Sequence, residues 1–212
     1  MHYVWCVLLG YLVGGINPAY LVSKRKGFDI RHRGSGNAGG SNAFILMGKL
    51  VGISVILIDI FKAFFVVRIA TLLFPYAPLA LPITGTAVVL GHIFPIYLKF
   101  KGGKGLAALG GIVLAYDWRV FCMMLAVAII LALLCDYIFV ISITAPIAFF
   151  VLYGILEQDV RGALILLIVA VTMFFKHLDN IRRVRNGTEA HLSYIWNKEA
   201  EEERLREHDG KD

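Results

Sequence analysis

Apolar residues fall into seven stretches, 3–23, 50–74, 79–98, 105–116, 119–135, 137–156 and 161–176, separated by short polar segments. A helix that crosses the hydrocarbon core of a bilayer needs about 20 mostly apolar residues, and lipid offers its backbone no outside hydrogen-bond partner. Most of the stretches approach or exceed that length. With 58% hydrophobic and 17% charged residues, the chain is too apolar for a water-soluble domain. The expected fold class is therefore all-α, a polytopic membrane helical bundle of about seven spans, some of them broken or re-entrant. Stretch 105–116 is too short to cross upright: either it continues into its flanks or it forms a re-entrant element. The first stretch lacks a small-residue cleavage site and reads as a retained span.

Basic residues decide the expected orientation, because they concentrate on the cytoplasmic side. Segment 24–49 carries Lys24, Arg25, Lys26, Arg31, Arg33 and Lys49; segment 99–104 carries Lys99, Lys101 and Lys104; the last span runs into Lys176, Arg182, Arg183 and Arg185. The intervening loops are poor in base. Seven spans put the three basic segments on one side, which implies an extracytoplasmic N-terminus and a cytoplasmic C-terminus. Residues 1–189 read as one integral-membrane domain, and 190–212 as a charged juxtamembrane tail in which a short interfacial or solvated helix fits. The net charge of +6 suits anionic headgroups and anionic substrates. Nothing points to nucleic acid.

Cys6, Cys122 and Cys135 lie in apolar stretches at no metal-ligand spacing, and their odd number argues against a disulfide framework. Neither metal nor cofactor is expected. Asp59 and Lys62 lie three apart on one face of the second span and read first as a structural ion pair. Gly14-Gly15-Ile16-Asn17-Pro18 and Phe94-Pro95 break their spans, and backbone freed in this way has to find partners in neighbouring helices, water or a lined cavity.

Three polar constellations carry the candidate chemistry. Gly34-Ser35-Gly36-Asn37-Ala38-Gly39-Gly40-Ser41-Asn42 satisfies G-x-G-x-x-G, but no strand precedes it and no βαβ unit surrounds it, which excludes a dinucleotide fingerprint. What remains is a donor-rich turn able to hold a phosphate or an acyl oxygen. Taken alone, a flexible connector explains it as well. Gly91-His92-Ile93-Phe94-Pro95-Ile96-Tyr97-Leu98-Lys99-Phe100-Lys101-Gly102-Gly103-Lys104-Gly105 runs from an apolar span into a basic glycine loop without the spacing of a Walker A loop. Lys99 fits a cytoplasmic charge cluster, and His92 a buried structural histidine. Lys104, enclosed by glycines, reads as an anion ligand. His177-Leu178-Asp179-Asn180 places His177 and Asn180 on one helical face, followed by Arg183, a stop at Gly187, and Glu189. Alone, that segment equally reads as a basic stop-transfer sequence. Zinc, nucleophile-elbow, H-x-x-x-x-D and alcohol-phosphotransferase motifs are all missing, and no third group orients Ser35 with His177 as nucleophile and base.

Taken together, these segments resemble the acyl-phosphate:glycerol-3-phosphate acyltransferase family of bacteria over roughly residues 8–189. The third segment matches H-x-x-N-x-x-R-x-x-x-G-x-E as His177, Asn180, Arg183, Gly187 and Glu189. The resemblance implies a multi-pass protein of the bacterial cell membrane with its active site facing the cytoplasm. Its implied reaction is transfer of a fatty acyl group from acyl phosphate to the 1-hydroxyl of glycerol 3-phosphate, giving lysophosphatidic acid and phosphate for phospholipid synthesis. It implies catalytic roles for Ser35, His177 and Asn180. It implies substrate binding by Asn37, Gly39, Asn42, His92, Lys101, Gly102, Gly103, Lys104, Gly105, Ser142, Arg183 and Glu189, with the Gly102–Gly105 amides helping Lys104 to neutralise a phosphate.

The chain departs from the family's usual GSGNxGATN: Ala38, Gly40 and Ser41 occupy the run, and Phe44-Ile45 stands where an arginine is common. Ala108 replaces a usual threonine. Two other readings accommodate these departures, a paralogue that acylates a different polar acceptor and a transporter of anions or lipid phosphates.

Overall fold

The computed structural model describes residues 1–195 and Asn197. Among these the chain is helical throughout, with no strand. Its α-helices are α1 (His2–Gly15), α2 (Pro18–Arg25), α3 (Gly40–Met47), α4 (Lys49–Leu73), α5 (Ala80–Ile93), α6 (Leu106–Tyr116), α7 (Trp118–Cys135), α8 (Ile138–Glu157), α9 (Val160–Lys176) and α10 (Leu178–Arg185). Six continuous or broken segments are long and apolar enough to cross a membrane, and α6 is a shorter apolar helix beside them. The helical membrane bundle expected from sequence is the fold observed. The proposed tail helix lies largely outside the described residues, which contain only a single 3-10 turn, Leu192–Ile195, at its start.

The centre of the bundle is α5, built from small and β-branched residues and buried along most of its length. It admits α1 at close range. A Cβ at Gly10 would meet Thr84 O and Ala87 Cβ, and at Gly14 the backbone of Val88. Small residues four apart let two transmembrane helices approach backbone to backbone, where packing replaces the missing hydrophobic drive. Around α5, the apolar core gathers Val66 and Val67 of α4, Ile112 and Val113 of α6, Phe149 of α8, and Leu166, Val169 and Met173 of α9. By contrast, α7 buries only Ala132 and presents its apolar surface outward, as a lipid-facing helix can.

The break between α1 and α2 is satisfied from within the bundle. Lys62 Nζ donates to Gly14 O at 2.9 Å and to Ile16 O at 2.6 Å, and lies 2.7 Å from Asp59 Oδ1. His92 Nδ1 sits 3.2 Å from the same ammonium. The expected ion pair between Asp59 and Lys62 is thus present, and it caps the carbonyls freed at the helix break. Past the break, Asn17 Oδ1 accepts from the Tyr20 N–H at 2.8 Å, with Pro18 opening α2 where no donor is needed.

The shortness of α6 has a geometric reason. After α5, the chain turns at Phe94-Pro95 and folds back, with Gly102 N–H donating to Ile93 O and Gly103 N–H to His92 O, both at 3.1 Å. Because His92 contacts Lys62 midway along α4, this loop, and with it the start of α6, lies level with the middle of α4. Its Gly111 then packs on Ile60 O and Ala63, near the same level of α4.

Candidate active site

Lys104 stands at the mouth of α6. The preceding loop holds Lys99 and Phe100 in left-handed conformations, at φ 54° and 60°, and Gly105 follows at φ 96°, where only glycine is unstrained. No side chain caps α6. The N–H groups of Lys104 and Gly105 carry no hydrogen bond among the described residues, and those of the first turn have no intrahelical partner, so an α-helix N-terminus opens beside the ammonium.

The sequence reading expected amides from Gly102–Gly105, and half of that expectation is corrected. The N–H groups of Gly102 and Gly103 are engaged by Ile93 O and His92 O. Their missing side chains matter instead. A Cβ on Gly103 would collide with His92 Nε2, and one on Gly102 with His92 O. His92 is buried and backed by Lys62 and by Asp59, 3.4 Å away, so it cannot yield. Gly103→Ala is therefore expected to displace Lys104 and lower kcat/KM about tenfold or more in a protein that still inserts, since misplacement by about 1 Å costs up to 10²-fold. Steady-state kinetics on the purified variant checks this.

Lys104 joins the middle segment to the third. Its Nζ hydrogen-bonds Asn180 Oδ1; Asn180 Nδ2 donates to Glu189 Oε1; and Arg183 Nε donates to Glu189 Oε2 at 2.6 Å. One carboxylate thus orients an amide and a guanidinium together. The chain bends at His177, between α9 and α10, where Nδ1 meets Met173 O at 2.7 Å. A carbonyl can only accept, so Nδ1 carries the proton and Nε2 is left as an acceptor.

The first segment arrives through other residues. Arg31 Nη1 donates to Leu98 O at 2.8 Å while its Nη2 pairs with Asp29 Oδ2 at 2.7 Å, and the guanidinium holds the Asp29 carboxyl well below the usual range. Asn17 Nδ2 donates to Ala38 O and its N–H to Tyr97 OH, each at 2.9 Å, while Tyr97 OH also donates to Gly15 O. Inside the loop, Asn42 Nδ2 reaches Ile30 O, Arg33 O and Asn37 O at 3.2, 3.0 and 3.0 Å, and Asn42 Oδ1 accepts from Ser35 N–H at 3.1 Å. Asn42 therefore builds the loop, and its amide is fully occupied. Gly39 is the N-cap of α3, and a Cβ there would crowd Asn37 Nδ2. The side chains of exposed Ser35 and half-buried Asn37 have no hydrogen-bond partner among the described residues. Lys101 is exposed. Ser142 is buried in α8 and makes no hydrogen bond to the other site residues.

Sequence reasoning passed over Arg31, Tyr97, Asn17 and the capping role of Lys62. Only Asn17 left a usable trace, the Asn-Pro pair that marks a helix start.

Burial, then the neighbouring Arg183, lowers the Lys104 pKa from 10.5 to about 8. A cation whose folded pKa is depressed is charged below that value and neutral above it. A phosphate monoester gains its second charge near pH 6. The kcat/KM for a phosphate substrate should therefore rise through about pH 6 and fall through about pH 8. kcat alone should hold to higher pH, because bound phosphate restores the ammonium. A profile flat to pH 10 would remove Lys104 from phosphate binding.

Among the described residues, no group of three or more His, Cys, Asp or Glu side chains could hold a metal ion. A lysine on a folded-back glycine loop, a helix N-terminus, and an oriented asparagine and histidine gathered within a helical bundle define an integral-membrane protein with a site suited to an anion. Residues 4–187 match the model of the glycerol-3-phosphate acyltransferase family, and the chain belongs to that family. It is 39% identical over 185 residues to the glycerol-3-phosphate acyltransferase of Thermotoga petrophila, covering 86% of this chain and 92% of that one. Identity with the Bacillus subtilis glycerol-3-phosphate acyltransferase is 34% over 190 residues, covering 89% and 97%. The fold is similar to crystal structures of PlsY (YgiH), an integral membrane glycerol 3-phosphate acyltransferase, at 32% identity. The TM-score is 0.84 to the glycerol 3-phosphate form, covering 91% of this chain and 96% of that chain. It is 0.80 to the lysophosphatidic acid form, covering 89% and 94%.

Proposed function

We propose that this protein transfers a fatty acyl group from acyl phosphate to the 1-hydroxyl of glycerol 3-phosphate, releasing lysophosphatidic acid and inorganic phosphate. The observation that carries the reading is the contact between Lys104 and Asn180, which brings a cation, an open helix N-terminus, and the His177 bend to one point. Membership of the family supports the acceptor. The acyl-phosphate donor rests on the earlier resemblance and on the chemistry of a site suited to phosphate.

In this mechanism the acceptor hydroxyl attacks the acyl carbonyl carbon, and the carbon–oxygen bond to phosphate breaks as phosphate leaves. Lys104 and the first-turn amides of α6 neutralise a substrate phosphate. Asn180, held by Glu189, and His177, held by Met173 O, orient the acceptor, and His177 Nε2 or the leaving phosphate takes the hydroxyl proton. The free side chains of Ser35 and Asn37 bind phosphate or carbonyl oxygen. Asn42 and Gly39 shape their loop, His92 and Gly103 seat the Lys104 loop, and Arg183 adds positive charge. Lys101 meets anions at the rim, and Ser142 would hold a phosphate or carbonyl oxygen. Arg31 and Lys176 join the same basic end, which supports a site facing the cytoplasm in a bacterial membrane.

The test supplies purified protein with acyl phosphate and glycerol 3-phosphate and measures phosphate release and lysophosphatidic acid. Release that depends on the acceptor is expected. Turnover only with a different polar acceptor would overturn the substrate assignment, and Phe44-Ile45 in place of a common arginine makes that comparison informative.

A further inference from the structure

The carboxylate that organises Asn180 and Arg183 is itself anchored from the junction of two other helices. Two residues after Glu189, the chain crosses to the turn between α7 and α8. His191 Nε2 lies 2.8 Å from Tyr137 OH, and the two rings pack at 4.8 Å between centroids. Leu192 N–H donates to Asp136 O at 2.7 Å, Ser193 N–H to Asp136 Oδ1 at 2.8 Å, and Ser193 Oγ to Asp136 Oδ2 at 2.9 Å. The carboxylate and carbonyl of Asp136 thus hold two residues of the strap 191–193, and the Tyr137 hydroxyl meets the third.

We propose that Asp136 is a positioning residue for the active site, clasping segment 191–193 so that Glu189 is held where it orients Asn180 and, through it, Lys104. Between the clasp and the site, the strap is short and stiff. Gly187 turns the chain at φ 71°, and Thr188 N–H and Glu189 N–H both donate to Arg183 O, at 2.8 and 3.2 Å. Fastened at Arg183 on one side and at Asp136 on the other, Glu189 has little freedom, and its two oxygens meet their donors without reorganisation. Asp136 adopts the left-handed conformation at φ 58°. Asparagine tolerates that conformation and glycine adopts it freely, which separates the backbone requirement from the carboxylate.

The inference rests on the transferase reading for its kinetic measure. In Asp136→Gly, which keeps the turn and loses the clasp, kcat/KM should fall about tenfold, mainly through KM for glycerol 3-phosphate, with the unfolding temperature little changed. Asp136→Asn should restore activity to within about threefold, because Asn Oδ1 accepts the Ser193 N–H and the Ser193 hydroxyl can turn to accept from Nδ2. In a Glu189→Ala background, Asp136→Gly should cost less than about twofold, since the group it positions is gone. Hydrogen exchange supplies a measure independent of turnover: the Thr188 and Glu189 amides should exchange faster in Asp136→Gly. Equal tenfold losses with and without Glu189, or unchanged exchange together with wild-type kinetics, would overturn the clasp. A wild-type protein inactive with glycerol 3-phosphate but with the predicted exchange change would overturn the substrate reading and leave the clasp standing.

Discussion

Lys104→Met is expected to insert and fold like the parent while losing about 10²–10³ of kcat/KM, the usual consequence of removing one preorganised donor to developing charge. The side chain is an end-member of its network. It hydrogen-bonds Asn180, but Glu189, itself fixed by Arg183, still holds that asparagine when the ammonium is gone. Methionine keeps most of the stem volume and needs no partner, so the packing around Gly105 against Ile93, Val89 and Met173 survives. The loss should therefore be chemical and not structural, and the alkaline fall near pH 8 should vanish from whatever activity remains. Lys104→Arg keeps the charge but needs room for a planar fork in a loop with none to spare, so it should rescue poorly. Near-wild-type turnover in Lys104→Met, measured beside an unchanged unfolding temperature, would refute the role given to this residue.

Lys62→Met should be the most damaging single change in the bundle interior. The ammonium balances Asp59 and caps Gly14 O and Ile16 O, where α1 ends. Removing it leaves the buried Asp59 carboxylate with only the His92 ring, 3.4 Å away, to balance it; breaking a buried pair typically costs about 3–5 kcal/mol, and two carbonyls then face an apolar side chain. Adding Asp59→Asn removes the stranded charge, so the double variant should regain part of the lost unfolding temperature. Turnover should stay low, because the break at Gly14–Pro18 also carries Asn17, which holds both Ala38 of the first loop and Tyr97 of the second. Thermal unfolding and turnover of the three variants test this. A Lys62→Met protein as stable as its parent would show that the ion pair does not support the break.

How far the sequence could be read follows the range of the interactions. Seven apolar stretches coincide with α1 and α2, α4, α5, α6, α7, α8 and α9 to within a few residues, because hydropathy and helix length are local properties. The third segment was readable for the same reason, with His177 at the N-cap of the short helix that carries Asn180 and Arg183. Helix α3 went unanticipated inside the glycine-rich segment. There packing against α4, with Gly52 lying under Phe44, outweighs weak local propensity. The amides of Gly102 and Gly103 were assigned to a ligand because glycine spacing cannot reveal that the loop folds back onto the end of α5. Arg31 showed only as one basic residue among several and Asp136 not at all, since Leu98 and Ser193, which they hold, lie 67 and 57 residues away.

By itself, the sequence determined that the protein is a helical membrane bundle, where its apolar helices lie, and which family its polar residues resemble. Bilayer thickness, charge and motif spacing act on neighbouring residues, and so they can be read along the chain. Only the tertiary structure decided that Lys104 meets Asn180, that Lys62 caps a broken helix, and that residues after Glu189 fasten to Asp136. Those contacts join segments far apart in sequence, and in a bundle packed backbone against backbone they depend on where every helix ends.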